Sequence, residues 1–161
     1  KEKKTYLKYI TKVKNTDFIS NDNIEELKIK NVYIPYVNIN NFLVDIFKNI
    51  DYYHFNSVLI KKVFHIKNDK SFFAYVDNNK LKIIIFNKDE LIFFNSYEIE
   101  SETDIIYFLL LSIKEKGLEI KETQINFILD KKNDLLLEIA DKFFDNFEII
   151  NNKKIDFIYS E

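Results

Sequence analysis

Glycine and proline each occur once in the 161 residues, at Gly117 and Pro35, and cysteine, methionine, tryptophan and arginine are missing. Each scarcity excludes something. Phosphate-cradling loops need consecutive residues without a Cβ so that backbone N–H groups can close on the anion. With a single glycine, neither a dinucleotide fingerprint nor a P-loop can be written into this chain. Without cysteine there are no disulfides and no thiolate metal sites. No apolar run nears the roughly 18 residues of a membrane span; the longest is Ile105 to Leu111. No basic segment followed by an apolar one marks a secretory signal.

Hydrophobic residues make up 47% of the chain and aromatics 16%, which specifies a packed core rather than disorder. Gly, Ala, Arg and Pro all have GC-rich codons and together occur four times, at Gly117, Ala74, Ala140 and Pro35. Lys, Asn, Ile, Phe and Tyr fill their place, as an AT-rich genome dictates. Under that bias lysine stands in for arginine, and a surviving glycine is held for its backbone. The net charge of −2 is spread in interleaved Lys, Asp and Glu, a solvated surface rather than a nucleic-acid patch. The chain opens on Lys1 within a charged stretch and has no methionine, so it reads as the later part of a longer protein.

The first thirty-one residues carry little pattern. Tyr6, Leu7, Tyr9, Ile10 and Val13 suit a short helix, and Ile24, Leu27 and Ile29 a second element. Val32 to Val37 reads as a strand that Pro35 either confines to an edge or interrupts. A helix capped by Asn38 or Asn40 then follows, with Phe42, Leu43, Ile46, Phe47 and Ile50 on one face. Ser57 opens another helix, running to about His65.

From Ser71 the signals sharpen. Phe72–Val76, Leu81–Phe86 and Leu91–Ile99 form three strands joined by the turns Asp77-Asn78-Asn79 and Asn87-Lys88-Asp89, an antiparallel meander. Ser101-Glu102-Thr103-Asp104 starts a helix with Ser101 as N-cap, and Gly117 ends it in the left-handed conformation. A strand at Gln124–Leu129, a helix at Asp134–Asp145 and a strand at Phe147–Ile150 complete the order βββαβαβ. A meander continued by right-handed crossovers is the ribonuclease H-like or actin-like α/β arrangement, a mixed sheet covered by helices. Residues 70–161 are expected to be one such lobe, and residues 1–69 the remainder of an incomplete first lobe.

Three segments, Asn31 to Phe42, Ser57 to Ile60 and Ser101 to Leu110, together resemble a bacterial family found mainly in Bacteroidota, the domain of unknown function 3822. The resemblance spans roughly residues 7–150. It implies a degenerate actin-like fold of two related lobes whose first strands lie outside this chain, and it implies no activity.

Two groups of residues are candidates for chemistry. Asp77 and Asp130 end the first and fourth strands of the second lobe, which the expected topology makes neighbours. Two such carboxylates, joined by Glu102 or Asp104, suit two-metal phosphodiester hydrolysis. Aspartate is also an ordinary strand-end residue. The turn Asp77, Asn78, Asn79 occupies the place of an actin-like phosphate loop, with asparagine where the loop needs glycine. His54 and His65 flank the Ser57 helix, but no serine has nucleophile-elbow glycines and the histidine spacing fits no short zinc motif. The leading expectation is a cytoplasmic, non-catalytic interaction or scaffold protein. It needs no cofactor or metal, binds a protein partner or itself, and binds no nucleic acid. A nucleotide-binding actin-like protein and a metal-dependent nuclease are the alternatives.

Overall fold

In the computed structural model, residues 5, 7–9, 11–48 and 50–151 are described. Tyr6 and Ile10, expected to line the first helix, lie outside them. The chain divides into two compact units, Lys1–Lys61 and Lys62–Glu161.

Unit 1 contains an antiparallel pair, β1 (Ser20–Ile24) and β2 (Ile29–Tyr33), joined through a 3-10 turn at Glu25–Leu27. Lys28 closes that turn in the left-handed conformation, φ 54°. Strand β2 begins earlier than the expected Val32–Val37 strand, where Ile29 pairs with Ile24, and it ends at Tyr33, ahead of Pro35, which has no N–H for a ladder. Helix α1 follows at Val37–Ile46. Its N-cap is Tyr36, without a side-chain bond, and not Asn38 or Asn40. No residue of α1 is buried, and Phe42 is 63% exposed, with Ile46 and Phe47 exposed beside it. The apolar spacing correctly marks a helix, but periodicity reports which side chains share a face, not what covers that face.

Helix α2 (Phe55–Ile66) begins two residues before Ser57. His54 initiates it instead: its carbonyl accepts from the N–H of Ser57 and Val58, and its ring Nδ1 accepts from the N–H of Asn56.

Unit 2 is built on a five-stranded mixed sheet, from β3 (Lys70–Asp77), β4 (Lys80–Asn87), β5 (Glu90–Glu98), β6 (Ile125–Leu129) and β7 (Phe147–Asn151). The order is β5-β4-β3-β6-β7, antiparallel through the meander and parallel from β3 through β6 to β7. Strands β3 and β6 are central, which is why FFAY and INFIL read as apolar runs rather than alternations. The crossovers carry α3 (Glu102–Glu115) and α4 (Asp134–Ala140). Ile105, Leu109 and Ile113 of α3 and Leu136 and Ala140 of α4 bury against Ala74, Ile83 and Phe127. On the other sheet face, Phe86 packs between Phe73 and Phe64, with ring centroids 6.3 and 5.8 Å away.

Both ends of α3 follow the sequence. The Ser101 hydroxyl accepts from the N–H of Asp104, whose carboxylate accepts from the N–H of Glu100 (2.8 Å) and Ser101 (3.0 Å). The Glu100 N–H, foremost, holds the Asp104 carboxyl below its ordinary value, with the Ser101 bonds adding to it. At the other end Gly117 has φ 62°, the Leu118 N–H donates to Ile113 and the Gly117 N–H to Lys114. This is the Schellman arrangement. A Cβ built on Gly117 meets nothing within 4 Å, so Gly117→Ala changes only the backbone term. It is expected to cost about 1 kcal/mol in urea unfolding. A neutral result would show that the left-handed cap is not what holds the glycine there. Helix α4 ends at Ala140, five residues before the expected boundary, and tighter turns bonded to the carbonyls of Ile139 and Ala140 follow it.

Candidate functional site

The carboxylates and the asparagine turn singled out in the sequence lie at one end of the unit 2 sheet. Strand β3 ends at Asp77 and pairs in parallel with β6, Val76 opposite Leu129. Asp77 and Asp130 thus leave adjacent strands at the same end. The acids available to complete a metal site have other partners. Asp104 caps α3, and Glu102 accepts from Asn133 Nδ2 at 3.1 Å, a bond that holds its carboxyl below the usual range. Asn133 in turn caps α4 by accepting from the Leu136 N–H. Among the described residues no group of three or more acid, His or Cys side chains is placed to hold a metal.

The turn after Asp77 is tight, because Asp77 pairs with Lys80 across the ladder and only Asn78 and Asn79 join the strands. The left-handed residue is Asn78, with φ 48°. Its amide Nδ2 donates to Asp77 Oδ1 at 3.0 Å, so the turn is closed by its own side chains. Behind it Lys82 is half-buried, and its ammonium is pushed below the usual lysine range by burial first and by Lys80 second, with Asp77 opposing.

Unit 1 holds a polar cluster that the sequence does not reveal. Asp22, on β1, is 6% exposed and accepts three hydrogen bonds. They come from the Tyr33 hydroxyl (2.9 Å), the His54 N–H (2.7 Å) and the buried Ser57 hydroxyl (2.6 Å). Ser57 Oγ also accepts from Asn31 Nδ2 at 2.8 Å. Burial is the main cause that raises the Tyr33 phenol above its ordinary value; the Asp22 carboxylate adds to it and a bond with Ser20 opposes it. Serine, histidine and aspartate meet here, but not as a nucleophilic triad. Ser57 donates to the carboxylate directly, and His54 reaches it through its backbone while its Nδ1 caps α2. The chemistry of this cluster is structural: one carboxylate ties β1, β2 and the start of α2. Beside it opens a cleft of about 600 Å³, whose lining includes Asp22, Tyr33, Asp51, Tyr52 and Lys61. Nothing in the sequence marks Asp22, because Ser20-Asn21-Asp22-Asn23 has the composition of a loop. Asn31 and Tyr33 carry no local signal that they converge on it.

No curated protein matches this chain. Among solved structures, it is similar to a Bacteroides thetaiotaomicron VPI-5482 protein described as having an actin-like ATPase fold and unknown function. The TM-score is 0.84 at 16% identity, over 97% of this chain and 63% of that one. At that identity the likeness shows the fold alone, and the fold is actin-like. The chain spans less than two thirds of that neighbour's length. The sequence profile of a family described as a protein of unknown function, DUF3822, matches residues 1–147, and the chain belongs to that family.

Proposed function

We propose that this chain is a non-catalytic interaction module in which an actin-like ATPase fold has lost its phosphate chemistry, residues 70–161 forming one lobe. The observation that carries the reading is the β3–β4 turn. A phosphate loop needs backbone N–H groups open to the ligand and no Cβ in the way. Here Asn78 and Asn79 both carry side chains, and the Asn78 amide is folded onto Asp77. No second glycine is available for an adenosine-side turn. Exposed Tyr36, Phe42 and Phe47 in unit 1 add side chains of the types that enrich protein interfaces.

Isothermal titration with ATP and Mg²⁺ is expected to give no heat, and Asn79→Gly alone is expected to create no ATPase activity. Micromolar binding, about −8 kcal/mol, would overturn the reading. One observation favours a second reading, a metal-dependent nuclease: the register that carries Asp77 and Asp130 to the same sheet end. That reading requires Mn²⁺ to raise the melting temperature and the double substitution Asp77→Asn, Asp130→Asn to abolish the rise.

A further inference from the structure

Among the described residues, strand β5 is the outer strand of the unit 2 sheet, hydrogen-bonded to β4 on one side only. Edge strands are commonly blunted by lysine, proline or a bulge. Here the ladder between β4 and β5 shifts register between Ile85 and Phe86, leaving Ile92 as the extra residue, but from Phe93 to Glu98 the pairing is regular. That regular segment contains no lysine and no proline.

The direction of its backbone groups follows from one bond. The Ile99 N–H donates to Asn79 at 2.9 Å, which fixes the phase of the antiparallel ladder. Tyr97, Asn95 and Phe93 therefore turn their backbone groups toward β4, and Glu98, Ser96 and Phe94 turn theirs outward. The outward Ser96 N–H has a local partner, Asn95 Oδ1, at 2.9 Å. A side chain from the adjacent residue thus occupies the place where a strand carbonyl would accept.

Charge indicates what fits beside this edge. Across the sheet, Asp77 pairs with Lys80 and Lys80 with Glu98, a row of alternating sign whose next place lies beyond β5. At the other end of β5 stands a second carboxylate, Glu90, opposite Asn87. The side chains between are Leu91, Ile92, Phe93, Phe94, Asn95, Ser96 and Tyr97, without charge. A second copy of the chain answers this poorly. Pairing the outward groups of the regular segment with themselves in the antiparallel sense, about Ser96, sets Glu98 against Phe94, where no cation meets it.

We propose that the outer edge of β5 is a docking site for an extended peptide segment of a protein partner. The segment pairs antiparallel to β5, is apolar and β-branched in its middle, and carries lysine or arginine opposite Glu98 and Glu90. The proposal rests on the interaction reading above and names the partner's chemistry. Main-chain bonds to Phe94, Ser96 and Glu98 supply affinity, and the two flanking charge pairs supply register and choice of partner.

The test uses the full chain and a capped octapeptide, Lys-Val-Thr-Val-Thr-Val-Thr-Lys, with a twin ending in glutamate at both positions. In low-salt titration the lysine-ended peptide is expected to bind roughly tenfold or more tightly than its twin, since each pair changes from opposite to like charge. Glu98→Lys is expected to narrow or reverse that preference. Ser96→Pro removes an outward N–H and no ladder bond to β4, so it is expected to abolish binding with the circular dichroism spectrum and melting temperature kept. Binding of neither peptide, equal binding of both, or full binding by folded Ser96→Pro each overturns the proposal. The ATP titration keeps the two readings distinguishable. A chain that takes neither peptide nor nucleotide loses this edge and retains the interaction role, whereas ATP hydrolysis removes the role whatever the peptides do.

Discussion

Phe127→Ala is expected to destabilise unit 2 by about 3–5 kcal/mol, the range for deleting a buried aromatic ring from a packed core. Phe127 is fully buried in β6, a strand whose five residues are all buried. Its neighbours leave little freedom to collapse into the space. Ala74 stands opposite it on β3, Ile149 on β7, and the Phe147 ring meets it edge-on with centroids 5.9 Å apart. The small residue at Ala74 is what admits the ring, so truncation leaves two alanines side by side at the sheet centre. Urea unfolding followed by far-ultraviolet circular dichroism measures the change. Ile149→Ala, at a side chain 45% exposed, is the control and is expected to cost at most about 1 kcal/mol. Similar losses for the two would mean that β6 is not the centre of the core.

Unit 2 was legible because its signals are local and agree with one another. Tight turns at Asn78-Asn79 and Lys88-Asp89 fix the meander, the capping box at Ser101 and Asp104 fixes the start of α3, and Gly117 fixes its end. In unit 1 the local signals point elsewhere. Ser20-Asn21-Asp22-Asn23 has turn composition and forms a strand, since ladder bonds to Ile29–Tyr33 and the burial of Asp22 override propensity. Ser57 has the chemistry of an N-cap, yet its hydroxyl is drawn to Asp22, 35 positions earlier, and the helix starts ahead of it. The candidate site divides the same way. Chain order and strand register are enough to send Asp77 and Asp130 to one sheet end, but the use of Glu102 by Asn133 depends on how two helix starts meet. The left-handed residue in the turn is Asn78 rather than Asn79, a choice between two identical side chains that composition does not make.

Asp22→Ala is expected to cost unit 1 about 3 kcal/mol. The carboxylate is nearly sequestered from water and accepts from one N–H and two hydroxyls. Alanine removes a charged acceptor, whose hydrogen bonds are worth more than neutral ones, and leaves the His54 N–H and Ser57 hydroxyl to find new partners. Asp22→Asn keeps one acceptor oxygen but turns an NH₂ toward groups that already donate, so an intermediate loss is expected. Tyr33→Phe is expected to cost about 1 kcal/mol alone and much less when Asp22 is already alanine, because both substitutions remove the same bond. Urea unfolding of the four variants, with hydrogen exchange at the His54 amide as a local probe, measures each term. The sign carries functional meaning as well. Residues kept for activity commonly oppose stability, and their removal is neutral or stabilising. If Asp22→Ala left stability unchanged or raised it, the carboxylate would serve the adjoining cleft rather than the fold. A clear loss, together with coupling to Tyr33, makes Asp22 the knot that lets a charged, turn-like sequence form β1.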